Sequence, residues 1–253
     1  MSAAAVLDPR QRFGAAAEQY DRHRPSYPAA AIDWIVATAG LQPGARVVDV
    51  GCGTGIATRL FAGRGLATVG IDPSEEMLAF ARRNGGAYLR AEATATGLAS
   101  SSADLVSAAQ CFHWFDLGPA LAEFRRVLRP GGWCAAFWNL RAPTAFSDEY
   151  DALLRAGTSQ YDVMQRQEAS PAALRAVVGP ARVRQAEFGN SQRLDREGLH
   201  GRAYSSSCVT HGVADRAAFD RALMALFDRH QRGGLVEIRY RTVAVAWPAG
   251  AAG

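Results

Sequence analysis

The sequence predicts an α/β fold built on a mostly parallel sheet, and three observations predict it. From about residue 45, short apolar runs alternate with amphipathic segments of helical period. The first of these runs ends in a glycine-rich turn, Asp49-Val50-Gly51-Cys52-Gly53-Thr54-Gly55, that leads into a helix. Late in the chain, Val183 to Phe188 and Val236 to Trp247 read as a pair of strands that would close the sheet antiparallel.

Residues 9 to 39 read as two helices broken at Arg24-Pro25-Ser26-Tyr27-Pro28, lying outside the sheet as a lid. Arg46 to Val50 is the first buried strand. The helix after it would be capped by Thr54 and bury Ile56, Leu60 and Phe61. Ala67 to Ile71 is the second strand. Ser74 caps the next helix, and Glu75 and Glu76 suit its positive end. Ala87 to Ala91 and Ala103 to Ala109 give the third and fourth strands. Leu117, Ala120, Leu121, Phe124, Val127 and Leu128 recur at helical spacing, Pro130-Gly131-Gly132 ends that helix, and Trp133 to Trp138 is the fifth strand. Beyond about residue 143, helices are expected over 148–156, 171–178, 193–204 and 216–232. One domain accounts for residues 1–253: a lid over 1–44, a ligand-binding half over 45–142 and a substrate-region half over 143–253.

Composition narrows the partners. The 253 residues are 49% hydrophobic and 21% charged, as in an ordinary soluble globule. The formal charge of +4 is carried entirely by arginine against interspersed acids, with no basic block, which argues against nucleic acid. Cys52, Cys111, Cys134 and Cys208 form neither a disulfide framework nor a metal-ligand cluster, so no metal is expected. Ala3 to Leu7 is too short for a signal segment, and no apolar run approaches the roughly 20 residues of a membrane span. A cytoplasmic protein, monomeric or homodimeric, is the expectation.

The glycine turn lets the backbone approach a ligand closely and opens amides at a helix start. Dinucleotide-binding proteins share this feature, and the turn alone leaves a nicotinamide-dependent oxidoreductase open. Their pattern needs a third glycine where this chain has Ile56, however. Asp49, before the first glycine, suits a cationic amino group. Asp72 closes the second strand, where a carboxylate can accept from both hydroxyls of a ribose.

The strings VVDVGCGTG, GIDPSEEML, RAEATATGL, ADLVSAAQCFHWFD and EFRRVLRPGGW occur in this order. They resemble the class I S-adenosylmethionine-dependent methyltransferases, more narrowly the small-molecule "type 11" group, over roughly residues 45 to 139. A more distant likeness is to the trans-aconitate methyltransferase-like enzymes. The resemblance implies a Rossmann-like fold: a seven-stranded, mostly parallel sheet with one antiparallel strand, helices on both faces and an N-terminal helical lid. It implies that S-adenosyl-L-methionine is the cofactor. Asp49, Gly51 and Gly53, with Cys52 of the same loop, would hold its methionine end, and Asp72 its ribose. Pro73 and Met77 would flank the adenine. Glu92, where the family commonly has Asp, and the Ala93 amide would meet the adenine edge. Gln110 would lie near the transferring methyl, and Arg24 with Tyr20 would close over the cofactor carboxylate.

On the acceptor side, Cys111-Phe112-His113-Trp114-Phe115 follows the fourth strand, and strand carboxyl ends are where ligands bind in such sheets. His113 can deprotonate or orient an acceptor, or cap a helix. Trp114, Trp138-Asn139 and Tyr27 could wall its pocket. A small polycarboxylate would call for arginines such as Arg141, Arg155 or Arg202. Residues 143 to 235 show no pattern that names the acceptor, so an oxygen, nitrogen or carbon centre stays open. A cofactor-binding protein that has lost transfer is the further alternative.

Overall fold

A computed structural model describes residues 17–158 and 182–250, with residues 161, 174, 176, 178 and 179 between them. Seven strands form one sheet: β1 (Arg46–Val50), β2 (Ala67–Asp72), β3 (Ala87–Arg90), β4 (Ala103–Ala109), β5 (Leu128–Arg141), β6 (Arg184–Leu194) and β7 (Val236–Pro248). The helices are α1 (Ala17–His23), α2 (Ala29–Thr38), α3 (Ile56–Ala62), α4 (Glu75–Arg83), α5 (Leu117–Val127), α6 (Ala145–Gly157), α7 (Arg196–Tyr204), α8 (Ser207–Gly212) and α9 (Arg216–His230). The strands lie in the order β3-β2-β1-β4-β5-β7-β6. Strands β1 to β5 pair in parallel, and β7 runs antiparallel to both β5 and β6. This is the expected sheet with its one antiparallel strand.

The order reverses between β1 and β4. Chain leaving β1 crosses to β2 on one side, whereas chain leaving β3 returns to β4 on the other, so a crevice opens beyond the carboxyl ends of these two strands.

Strands β1 and β4 are apolar on both faces because both are covered. Val48, Val50 and Val106 pack with Phe124 and Val127 of α5, and Val47 and Leu105 pack on the opposite face with Ile32, Ile35 and Phe61 of α2 and α3. A third core, separate from these two, gathers Tyr150, Leu154, Leu199, Leu223 and Phe227 from the later helices. Strand β7 bridges the cores. Its Val243 to Ala246 belong to the sheet proper, and Val236, Ile238 and Tyr240 carry the third cluster. The helices of that cluster begin where side chains cap them: Thr144 for α6, Asp195 for α7 and Asp215 for α9 each accept from an amide three residues on.

Several expectations change. Thr54 does not cap α3: Gly55 stands at the N-cap with φ +83°, and the Thr54 hydroxyl has no hydrogen-bond partner among the described residues. Pro130-Gly131-Gly132 does not precede β5 but lies within it, at a register shift opposite Ala103 to Leu105. The helix expected over 171–178 falls mostly outside the described residues, as does the chain before residue 17. No helix among the described residues is long and apolar enough to cross a membrane.

The two N-terminal helices are present, and α1 is tied to the body. Asp21 pairs with Arg59 of α3 at 2.9 Å, and Gln192 of β6 donates to the His23 carbonyl at 2.9 Å. The His23 ring is buried against Gly201 of α7, where a Cβ would overlap it. Gly201→Ala is therefore expected to destabilise the protein by about 1–3 kcal/mol through overpacking. Thermal unfolding checks this, and His23→Ala in the same chain should recover part of the loss.

Candidate functional site

The crevice beyond β1 and β4 is a cavity of about 680 Å³, and the loops after successive strands supply its walls. Gly51 and Gly53 follow β1; Asp72 ends β2 and Pro73 follows it; Glu92 and Ala93 follow β3. Gln110, Cys111, His113 and Trp114 follow β4, while Asn139 to Arg141 end β5. Tyr20 and Arg24 of the α1 segment cover it, and Met77 enters from α4.

The glycine turn is held by its own backbone. The Gly51 and Cys52 amides donate to the Ile71 carbonyl at 2.7 and 3.0 Å. The Gly53 amide donates to Asp72 Oδ2 at 2.9 Å, while Asp72 Oδ1 accepts from the Ser74 amide at 2.9 Å. Gly51 adopts φ +69°, and a Cβ there would come within 2.6 Å of Cys111 Sγ. Gly53, at φ +55°, faces open space instead, so a ligand can approach its backbone. Burial raises the Asp72 carboxyl above the usual carboxylate range, against the pull of its two backbone hydrogen bonds.

Asp49 departs from its expected place. Its carboxylate is fully buried beneath the turn, accepting from Thr58 of α3 at 2.7 Å and Ser107 of β4 at 3.0 Å, and it is not on the cavity wall. The turn leaves β1 above this side chain, so Asp49 can act on a ligand only through its charge. Burial pushes its carboxyl up to about 6, offset by the two hydroxyl hydrogen bonds. Cys52 also turns inward, beside Tyr88 and Gly70, and reaches only a small pocket of about 60 Å³ adjoining the cavity.

Gln110 has φ +59°, a conformation that costs a non-glycine residue about 1–3 kcal/mol and concentrates at functional sites. Two bonds hold it there: its amide donates to the Phe137 carbonyl, and its Oε1 accepts from the Asn139 amide at 2.9 Å.

His113 and Trp114 stand on a short 3₁₀ turn, with rings 4.7 Å apart, and both line the cavity. Trp138 does not. Alternation along β5 turns it into the core, edge-on to Phe112 at 6.4 Å, and brings Asn139 to the cavity instead. Tyr27, expected on the acceptor side, packs edge-on against Phe137 at 4.7 Å and meets only the small pocket beside the glycine turn.

The cavity continues into the half of the chain that sequence patterns left undecoded. Arg141, Tyr150, Asp151, Leu154, Tyr161, Arg202 and Tyr240 line it, whereas Arg155 does not. Arg141 pairs with Asp151 at 2.6 Å, and Tyr161 bonds both of them. Arg202 donates to the Tyr240 hydroxyl at 3.3 Å and to Ser205 Oγ at 3.4 Å. Arg24 lies 4.6 Å over the Tyr20 ring and donates to the Ser205 carbonyl at 3.0 Å. Tyr240 was legible in principle, being on the inward alternation of β7; Tyr150 and Tyr161 carried no such signal. Among the described residues no cluster of three or more His, Cys, Asp or Glu could hold a metal ion.

Comparison with known proteins agrees with this geometry. Residues 48–136 match the family model described as a methyltransferase domain. An uncharacterized methyltransferase of Mycobacterium tuberculosis is 43% identical over 131 residues, 51% of this chain and 52% of that protein. A malonyl-[acyl-carrier protein] O-methyltransferase of Enterobacter lignolyticus is 39% identical over 133 residues, 51% of this chain and 52% of that protein. The chain thus spans about half the length of these curated relatives. Among solved structures, one described as a type II methyltransferase from Anaeromyxobacter dehalogenans superposes with a TM-score of 0.66 at 26% identity, over 89% of this chain and 98% of that one. The sheet order, the glycine turn closed on Asp72 and the family match agree: the chain carries a methyltransferase domain of the class I S-adenosylmethionine-dependent kind.

Proposed function

We propose that the protein transfers a methyl group from S-adenosylmethionine to a small-molecule acceptor in this cavity. One observation carries the reading: a single cavity runs from the glycine turn, Asp72 and Glu92 to a wall built by the C-terminal half, under cover of α1. The residues fit the cofactor. Gly53 leaves room for a backbone contact, Asp72 presents a carboxylate at the end of β2, and Arg24 offers a buried guanidinium whose Nε has no hydrogen-bond partner among the described residues. In this reading Gly51 and Gly53 take the methionine end, Arg24 with Tyr20 its carboxylate, Asp72 the ribose, and Pro73, Met77, Glu92 and Ala93 the adenine. Gln110 stands near the methyl.

S-adenosylmethionine supplies a methyl on a sulfonium, already a strong electrophile, so the protein's task is alignment and exclusion of water. Positioning of this kind can supply roughly 7–11 kcal/mol. His113 and Trp114 set the near side of the acceptor and the tyrosines of the far wall its other faces, with His113 orienting the acceptor or taking its proton. The family model matches residues 48–136, the stretch that carries the glycine turn, Asp72 and Glu92, which supports the donor more than the acceptor.

Asp72→Ala is expected to weaken S-adenosylhomocysteine binding by about 100-fold, since two charge-assisted hydrogen bonds are lost. Calorimetric titration measures this, and unchanged affinity would exclude the ribose assignment. His113→Ala should leave that affinity within about threefold and lower turnover, because it touches only the acceptor end.

Asp49 gives a pH signature. Its folded carboxyl is raised, so it gains a proton as pH falls through about 6, and the charge that favours a cationic amino group is then lost. Cofactor affinity should be full above that pH and decline below it. Asp49→Asn should weaken this dependence, leaving the part due to Asp72, whose carboxyl is raised in the same direction.

A further inference from the structure

Three arginines, the buried Arg202 and the part-buried Arg24 and Arg141, line the cavity, and Arg24 and Arg202 also line the small pocket against Gly51 and Gly53. Arg202 is close enough to each of the other two for like-charge repulsion. Among the described residues Asp151 is the single carboxylate paired with any of them, and it belongs to Arg141. Among the described residues, Arg202 and Arg24 rest on neutral partners: the Tyr240 hydroxyl, Ser205 and the Tyr20 ring. Arg202 is only 5% exposed, so water does not compensate its charge. A buried guanidinium without a counter-ion is costly, and such groups persist where a ligand supplies the missing charge.

The charges can be assigned one by one. Asp151 neutralises Arg141. The carboxylate of the cofactor's methionine neutralises one of the other two; both line the small pocket beside the glycine turn, and Arg24, whose buried Nε has no hydrogen-bond partner among the described residues, is assigned to it. Of the three arginines, Arg202 is then the one without an anionic partner among the described residues. We infer that the acceptor is a small organic monoanion, a carboxylate, held by Arg202 and the Tyr240 hydroxyl on the wall contributed by α7 and β7. This rests on the methyltransferase reading of the same site and names the class of its substrate. The guanidinium fork favours the planar carboxylate, and one guanidinium without an anionic partner matches a monoanion rather than a phosphate dianion. Tyr150 and Tyr161, packed around Arg141, give the rest of the acceptor an aromatic bed.

The test titrates carboxylates into the full chain saturated with S-adenosylhomocysteine. Hexanoate, benzoate and cinnamate are each compared with their own amides, and benzoate with phenyl phosphate. At least one carboxylate should bind about tenfold or more tightly than its amide. In Arg202→Gln that advantage should vanish while S-adenosylhomocysteine affinity stays within about threefold. Arg202→Lys, which keeps the charge but loses the fork, and Tyr240→Phe, which removes one hydroxyl, should each lower it in part. They carry the comparison if Arg202→Gln does not fold. No carboxylate advantage in the unmodified protein, or tighter binding of phenyl phosphate than of benzoate, overturns the inference. So does an Arg202→Gln variant that loses S-adenosylhomocysteine binding and keeps the carboxylate advantage, since the arginine would then serve the cofactor. Failure of the unmodified protein to bind S-adenosylhomocysteine at all would instead overturn the proposed function, so the two failures are separable.

Discussion

The turn after β1 hangs on the end of β2. Its amides at Gly51 and Cys52 are spent on the Ile71 carbonyl and that at Gly53 on Asp72, so an irregular, glycine-rich stretch becomes a fixed edge of the crevice. The same Asp72 carboxylate reaches the Ser74 amide, where α4 begins. One acidic side chain thus sets the turn against the helix that supplies Met77. Beneath it, Asp49 ties β1 to α3 and β4 through two hydroxyls. This end of the cavity is pinned because both carboxylates accept from the scaffold itself, and both carry a burial cost for doing so.

The opposite wall is built differently. No turn motif defines it; the side chains come from β5, α6, α7 and β7, brought together by the third hydrophobic cluster, around Leu199, Leu223 and Ile238. That cluster holds Arg202 in place without giving it a carboxylate. The N-terminal segment then ties both walls together. Asn139 and Asn190 both donate to the Ser26 carbonyl, at 3.1 and 2.7 Å, and Arg24 reaches Ser205. A segment at the start of the chain is thereby anchored to the ends of β5 and β6 and to the turn after α7.

The glycine-turn half was legible because its pattern is local. A glycine turn, an acid at the next strand end and a capping Ser74 lie close together in sequence, and each has a periodic strand or helix beside it. Trp138 shows where such reading fails. Its position at the end of an apolar strand suggested a pocket wall, but β5 extends three residues further, and the alternation then gives the cavity to Asn139. Thr54 failed for a related reason: Gly55, with its left-handed backbone, starts the helix one residue later than a capping side chain would. The acceptor wall stayed closed to sequence reasoning because its members are single residues on elements far apart. Only packing brings Tyr150, Arg202 and Tyr240 within reach of one another, and arginines are too common in this chain to single out the buried ones.

The position of β7 has a consequence for how the protein is made. It lies between β5 and β6 yet is the last strand in sequence, and its Thr242 meets Asn139 across 103 residues of chain. Contacts over such separations close late, because the intervening chain must surrender its freedom before they repay it. The turns after β1, β2 and β3 lie in early chain, whereas Tyr240 of β7 closes the cavity from the other side. The glycine-turn wall can therefore form from early chain, and the wall that carries Tyr240 waits for the strand that completes the sheet.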